Sequence, residues 1–186
     1  MSRLDSFICR MEAQRHCLGE AAARIAKLDG PAFELGLGNG RTYDHLRELM
    51  PDRDIFVFER NLAAHASCIP SADKLILGDI LATLPPMVKA FGGKVVLIHY
   101  DLGRGDAAWD ALMAKRCAPH LAHLLHRDGL LISSEPMPSV YFDSVPLPPS
   151  VADGRYFQYQ VARGAIDDPG VDPSRGRPVR SSTASP

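Results

Sequence analysis

Glu34 stands two residues ahead of Gly36, the first of three glycines at alternate positions, Gly36, Gly38 and Gly40, in the stretch PAFELGLGNGRTYDHL. A short apolar run leads into the acid, and a helix-compatible run follows the last glycine. Glycine permits the positive φ angles of a tight turn and lets a ligand come close to the backbone. A carboxylate at such a turn favours a ligand that brings positive charge. Two more acids follow at the ends of apolar runs: Glu59 in IFVFER and Asp79 in LILGDI. His99 and Asp101 lie two apart in HYDLG, so on a strand they share a face, and either could act as a general base near a strand end.

The glycine pattern separates two cofactor classes. A dinucleotide fingerprint reads G-x-G-x-x-G, but the third glycine would fall at Arg41. A pyrophosphate seeks backbone N–H groups at a helix N-terminus, without an adjacent carboxylate. S-adenosylmethionine carries a sulfonium and an ammonium and no phosphate, so Glu34 favours it over NAD. Glu59 comes roughly twenty residues beyond the turn, the spacing at which an acid accepts ribose hydroxyls in either class. Asp79 could accept the adenine amino group, with the Ile80 N–H donating to the ring. No G-x-x-x-x-G-K-[ST] phosphate loop and no G-x-S-x-G elbow occurs.

Other candidates read as structural. His120, His123 and His126 would fan around a helix and bring no acidic or thiolate companion at metal spacing, so no metal is expected. Ser133-Ser134-Glu135 ends a strand on the side that should face substrate. Cys9, Cys17, Cys68 and Cys117 form no C-x-x-C, and free thiols in a reducing cytoplasm are the simplest reading.

These residues need a frame. Strands are expected at Ala32–Leu35, Ile55–Glu59, Lys74–Leu77, Lys94–Tyr100 and Leu130–Ser133. Helices are expected at Thr42–Leu49, Leu62–Ala66, Pro86–Phe91, Trp109–Cys117 and His120–Arg127. That rhythm predicts an α/β, Rossmann-like doubly wound, mostly parallel sheet with helices on both faces. The all-apolar run Val95-Val96-Leu97-Ile98 suits a central strand. Tyr141-Phe142 and Arg155–Arg163 read as late antiparallel strands at one edge. Residues 1–30 read as an N-terminal helical segment with an apolar stripe of Leu4, Phe7, Ile8, Met11 and Leu18. Gly19 weakens its middle, and the segment would pack on the core or cover the site. Residues 31–163 would form the catalytic domain. Residues 164–186 hold almost nothing apolar and are expected to be disordered.

The chain has 186 residues, 46% of them apolar, enough for one domain with a real core. Its 21 basic and 22 acidic residues give a net charge of −1. That removes the global electrostatic case for nucleic acid or an anionic membrane. The N-terminus lacks a signal-type apolar core, and no run approaches the roughly 20 apolar residues of a bilayer span. A cytoplasmic protein acting on a small molecule is expected, with a homo-oligomer left open.

The ordered set E-L-G-L-G-N-G, F-E-R, G-D-I and H-Y-D-L-G resembles a class I S-adenosylmethionine-dependent methyltransferase. The longer stretch AQRHCLGEAAARIAKLDGPAFELGLGNGRTYDHLREL, with PDRDIFVFER and LILGDI, resembles a small bacterial methyltransferase family of unassigned substrate, over residues 4–163. The resemblance implies that Glu34, Gly36 and Gly38 line the methionine portion of the cofactor, that Glu59 holds its ribose and that Asp79 holds its adenine. It extends cofactor contact to Leu37, Asn39, Gly40, Thr42 and Tyr43 of the turn, to Arg60 and Ile80 beside the acids, and to Asp101. The chain has no N-P-P-Y motif of the kind used on amino groups and nucleic-acid bases. The alternatives are a non-catalytic module that binds S-adenosylmethionine or S-adenosylhomocysteine, and an NAD(P)-dependent oxidoreductase.

Overall fold

The computed structural model describes residues 1–165. The expected tail falls almost entirely outside them. Seven strands form one sheet: β1 (Ala32–Leu35), β2 (Ile55–Glu59), β3 (Leu75–Leu77), β4 (Val95–Tyr100), β5 (Leu125–Ser133), β6 (Phe142–Val145) and β7 (Phe157–Val161). Their order is β3-β2-β1-β4-β5-β7-β6. The first five are parallel, and β7 runs antiparallel to both β5 and β6. The Rossmann-like doubly wound, mostly parallel sheet with an antiparallel late edge, expected from the strand rhythm, is therefore present.

The strand order reverses between β1 and β4. Both strands are buried along their whole length. In that register Glu34 lies opposite His99 and Leu35 opposite Tyr100. A ligand crevice in such a sheet opens beyond the carboxyl ends of these two strands.

Four helices cover the sheet: α1 (Arg3–Arg24), α2 (Arg41–Leu49), α3 (Ile80–Phe91) and α4 (Ala107–Leu124). One apolar layer joins α1 and α2 to one face through Cys17, Leu18, Ala21, Leu46, Val57, Val96 and Ile132. The other joins α3 and α4 to the opposite face through Phe33, Leu84, Ile98, Cys117, Leu121 and Leu131.

α1 begins with a reciprocal cap, in which the Ser2 hydroxyl accepts from the Asp5 N–H and the Asp5 carboxylate from the Ser2 N–H. Gly19 does not divide it. Buried Cys17, Leu18, Ala21 and Ala22 hold both sides of the glycine against the sheet. The expected apolar stripe is core only in part. Leu18 is buried, but Leu4, Phe7 and Ile8 are exposed, because the first turns of α1 extend past the packed layer.

Four expected helices differ. Trp109–Cys117 and His120–Arg127 are one helix, α4, with Pro119 inside, and it stops at Leu124. Proline in a helix interior costs about 3 kcal/mol. Burying Leu121 and Leu124 returns roughly 1.5–3 kcal/mol each, so continuing wins. His126 and Arg127 belong to β5 instead. α3 starts at Ile80 rather than Pro86, because Asp79 caps it and accepts from the Leu81 N–H at 2.9 Å. Leu62–Ala66 is not an α-helix. Only a 3₁₀ turn, Ala66–Cys68, forms there. That segment packs on the glycine turn instead: the His65 N–H reaches the Asn39 carbonyl, and the Ser67 carbonyl accepts from Arg47 at 3.1 Å.

Candidate functional site

The glycine turn follows directly from β1. Gly36 has φ 97°, and a Cβ there would collide with the Asp101 backbone carbonyl, so glycine alone lets the turn pass β4. Gly38 has φ 53°, and a Cβ there would meet nothing within 4 Å. Its backbone faces open space where a ligand can approach. Gly40 is the N-cap of α2 and supplies no side-chain acceptor, leaving the N–H groups of the first turn, around Arg41, Thr42 and Tyr43, without a side-chain cap. Tyr43 is buried, with the Arg47 guanidinium over its ring at 5.1 Å.

Glu59 spans the turn. Its Oε2 accepts from the Leu37 N–H at 2.9 Å and the Gly38 N–H at 3.0 Å. Its Oε1 accepts from the Arg60 N–H at 2.7 Å and the Asn61 N–H at 2.9 Å. Four backbone donors occupy the acceptor capacity of one carboxylate. The end of β2 thus holds the glycine turn in shape, a role the spacing alone did not disclose.

Glu34 is fully buried, with its Oε2 2.7 Å from His99 Nδ1. Burial pushes the Glu34 carboxyl up from its ordinary range, and neighbouring His99 pulls it back. Its second oxygen, Oε1, is buried without a hydrogen-bond partner among the described residues. His99 is enclosed as well, and its Nε2 lies 2.8 Å from the Tyr156 hydroxyl. The His99 and Tyr156 rings are nearly parallel, 10° apart, with centroids 6.0 Å apart.

Asp101 follows β4 and is partly exposed. One Arg10 nitrogen donates to both of its carboxylate oxygens, at 2.7 and 2.8 Å. Gln14 Nε2 donates to Asp101 Oδ2 at 3.2 Å and to the Tyr156 hydroxyl at 2.9 Å. Arg10 and Gln14 both come from α1, so this helix lies over the end of β4. Glu135, beyond β5, has its carboxyl pushed up by burial and then by the charges of Asp110 and Asp101, against Arg10. Asp110 holds the loop after β4 by accepting from the Arg104 and Gly105 N–H groups at 3.0 and 3.2 Å.

Arg10, Gln14, Tyr156 and Asp110 were not singled out from the sequence. Gln14 carried a faint signal: it is a polar residue at helical spacing from Phe7, Met11 and Leu18. The three helical-spaced histidines do not converge. His123 Nδ1–H donates to the Pro119 carbonyl at 2.7 Å, and His126 Nδ1 accepts from the Asp128 N–H at 3.1 Å. Among the described residues no group of three or more metal-type side chains comes together. The Ser133 hydroxyl serves its own turn, donating to the Glu135 carbonyl and accepting from the Glu135 N–H.

A cavity of about 590 Å³ lies at the opposite end of the sheet, lined by Gly30, Pro31, Arg53, Asp54 and Phe91 among others. It borders the amino ends of β1 and β2, where sheet ligands do not sit. Arg53 there donates to the Ile25, Leu28 and Gly30 carbonyls and closes the end of α1.

A family model described as S-adenosyl-L-methionine methyltransferase matches residues 1–161. The chain belongs to this methyltransferase family. A crystal structure of an S-adenosyl-L-methionine methyl transferase from Silicibacter pomeroyi DSS-3 is 44% identical. That match covers 87% of this chain and 99% of that one, with a TM-score of 0.83. Human methyltransferase-like protein 13, in complex with S-adenosylhomocysteine, shares the fold at a TM-score of 0.53 and 11% identity, over 80% of this chain and 78% of that one. No curated protein matches.

Membership makes the chain an S-adenosylmethionine-dependent methyltransferase, and the residues at the switch point fit that cofactor. The family's cofactor is cationic at its sulfonium and ammonium. The methyltransferase chain offers an orphaned, buried carboxylate oxygen on Glu34 and open space over Gly38.

Proposed function

We propose that the protein moves the sulfonium methyl of S-adenosylmethionine to a small-molecule acceptor above the carboxyl ends of β4 and β5. The observation that carries this reading is Glu34: a fully buried carboxylate at the strand-order reversal, beside the glycine turn, with one oxygen unpartnered among the described residues. In this reading Glu34, Gly36 and Gly38 hold the methionine portion. Glu59 holds the ribose by giving up part of its four backbone hydrogen bonds to the ribose hydroxyls. Asp79 and the Ile80 N–H hold the adenine. Leu37, Asn39, Gly40, Thr42, Tyr43 and Arg60 complete the surround.

The bound cofactor supplies an activated methyl on a good leaving group. The chain's own task is to hold the acceptor atom in line with it and to exclude water. Of the two base candidates, Asp101 has solvent access, while His99 is enclosed with both ring nitrogens engaged. That supports Asp101 as the group that orients an acceptor or takes its proton, and His99 as a positioning residue. Arg10 must swing away from Asp101 for such a contact. α1 lies over the end of β4 through Arg10 and Gln14, which supports a small acceptor. The four free cysteines support a reducing, cytoplasmic setting. Among the described residues no helix is long and apolar enough to cross a membrane.

Calorimetric titration with S-adenosylmethionine, S-adenosylhomocysteine and NAD tests the site, after the sample is freed of copurified ligand. Binding of the first two and not the third is expected. An acceptor screen with isotopically labelled methyl then tests transfer. Cofactor binding with no transfer to any amine, hydroxyl, thiol or carboxylate acceptor would favour a non-catalytic binding module.

A further inference from the structure

The Tyr156 hydroxyl is fully buried and has two hydrogen-bond neighbours among the described residues, Gln14 Nε2 at 2.9 Å and His99 Nε2 at 2.8 Å. An amide NH₂ only donates. The Tyr156 oxygen therefore accepts from Gln14, and its own proton has one acceptor, His99 Nε2. A neutral imidazole that accepts at Nε2 carries its proton at Nδ1. That nitrogen faces Glu34 Oε2 at 2.7 Å, so the imidazole donates and Glu34 is the acceptor, a carboxylate. The reverse arrangement has Glu34 protonated and an Nε2–H pointing at Tyr156. It would strand the phenolic proton in a buried place, which is costly. An imidazolium would strand it in the same way. The charged and titratable groups around His99 are Glu34, Asp101, Arg10 and Tyr156.

We infer that Tyr156, held by Gln14, is a positioning residue for cofactor capture: it sets the His99 tautomer and so keeps Glu34 a carboxylate whose Oε1 is free for the ammonium of the amino-acid half of the cofactor. This rests on the cofactor reading proposed above. It also gives a function to the loop before β7 and to α1, which no cofactor motif covers. Gln14, Tyr156, His99 and Glu34 come from four separate segments, and each hydrogen bond fixes the direction of the next.

The test compares two probes on wild type and Tyr156→Phe. S-adenosylhomocysteine contains the ammonium. Methylthioadenosine keeps the nucleoside and thioether but lacks the amino-acid end. Tyr156→Phe is expected to weaken S-adenosylhomocysteine roughly tenfold, the scale of one hydrogen bond to a charged group, and to leave methylthioadenosine unchanged. Gln14→Met, close to isosteric, should weaken S-adenosylhomocysteine in the same selective way and serves if Tyr156→Phe does not fold. Imidazole nitrogen NMR should show the Nδ1–H tautomer for His99 in wild type, assigned by its loss in His99→Gln, and a changed tautomer balance in Tyr156→Phe. Equal weakening of both probes would mean a merely structural role and would overturn the inference, as would no weakening of either or an Nε2–H tautomer in wild type. If wild type binds neither probe, the cofactor reading itself falls and takes the inference with it.

Discussion

Glu34 and His99 face each other in register across β1 and β4, joined by a 2.7 Å hydrogen bond at the point where the strand order reverses, and both are fully buried. A carboxylate sealed from water is tolerated only with partners. One of its oxygens has His99 and the other has no partner among the described residues, which makes this pair a demanding position.

Glu34→Gln keeps the shape and removes the charge. Affinity for S-adenosylmethionine and its demethylated product is expected to fall by about 1.5–3 kcal/mol, the range of hydrogen bonds to charged groups. Calorimetry reads the change. Unaltered affinity in a folded variant would remove Glu34 from the cofactor site.

His99→Ala deletes the partner and leaves Glu34 buried beside a void. Breaking a buried pair in this way costs about 3–5 kcal/mol. At roughly 2–4 °C per kcal/mol for a chain of this size, Tm should fall on the order of 10 °C. A thermal scan checks this, and adding Glu34→Gln to the same chain should recover part of the loss, since no buried charge then remains.

Glu59→Ala frees four backbone donors that now share its carboxylate. Cofactor affinity is expected to drop by about 1–3 kcal/mol. Hydrogen exchange at Leu37 and Gly38 should speed up even without ligand. Glu59→Gln, which can accept on only one side, should fall between the two. A variant that binds normally and protects Leu37 and Gly38 as before would refute both roles.

Arg10→Ala unlatches α1 from Asp101. The pair is partly exposed, so its net worth is within about 1 kcal/mol. The expected change is local: faster hydrogen exchange in the first turns of α1, with Ala13–Ala22 still protected by their packing. Uniform deprotection of the helix would show instead that the ion pair anchors all of it.

Alkaline pH should destabilise the fold through two thiols. Burial pushes Cys17 up to about 11, with Glu20 adding to it, and burial pushes Cys117 up to about 12. Both are raised above the unfolded value of 9.0, so the folded state holds these protons more tightly. Their contribution is complete below pH 9 and is lost as pH rises from there toward 11 and 12. Denaturant midpoints at pH 8 and 10.5 measure the slope. Cys117→Ala should have a lower midpoint at pH 8 and a flatter decline above pH 9.

Much of the cofactor side was legible because it is local. A glycine turn, an acid before it and acids at the next two strand ends are set by neighbours in the chain, and backbone sterics alone require glycine at position 36 and favour it at 38. The strand rhythm likewise follows from short apolar runs. What failed was local too, but overruled: the helix expected at Leu62–Ala66 yields to packing on Gly40, and α4 runs through Pro119 because the residues beyond it are buried.

The network around Glu34 is the opposite case. His99 lies 65 residues from Glu34, Tyr156 is 57 from His99, Gln14 is 142 from Tyr156, and Arg10 is 91 from Asp101. No pattern in the chain links them, since hydrogen bonds between side chains on separate segments leave no period or spacing. The sequence by itself determined the turn, the acids and the fold class. The tertiary structure decided which of those acids is sealed, which side chains hold it, and that α1 reaches over the end of β4. Burial and direction are properties of the packed sheet, and only once β1, β4, α1 and the loop before β7 are assembled do Glu34, His99, Tyr156 and Gln14 become one another's partners.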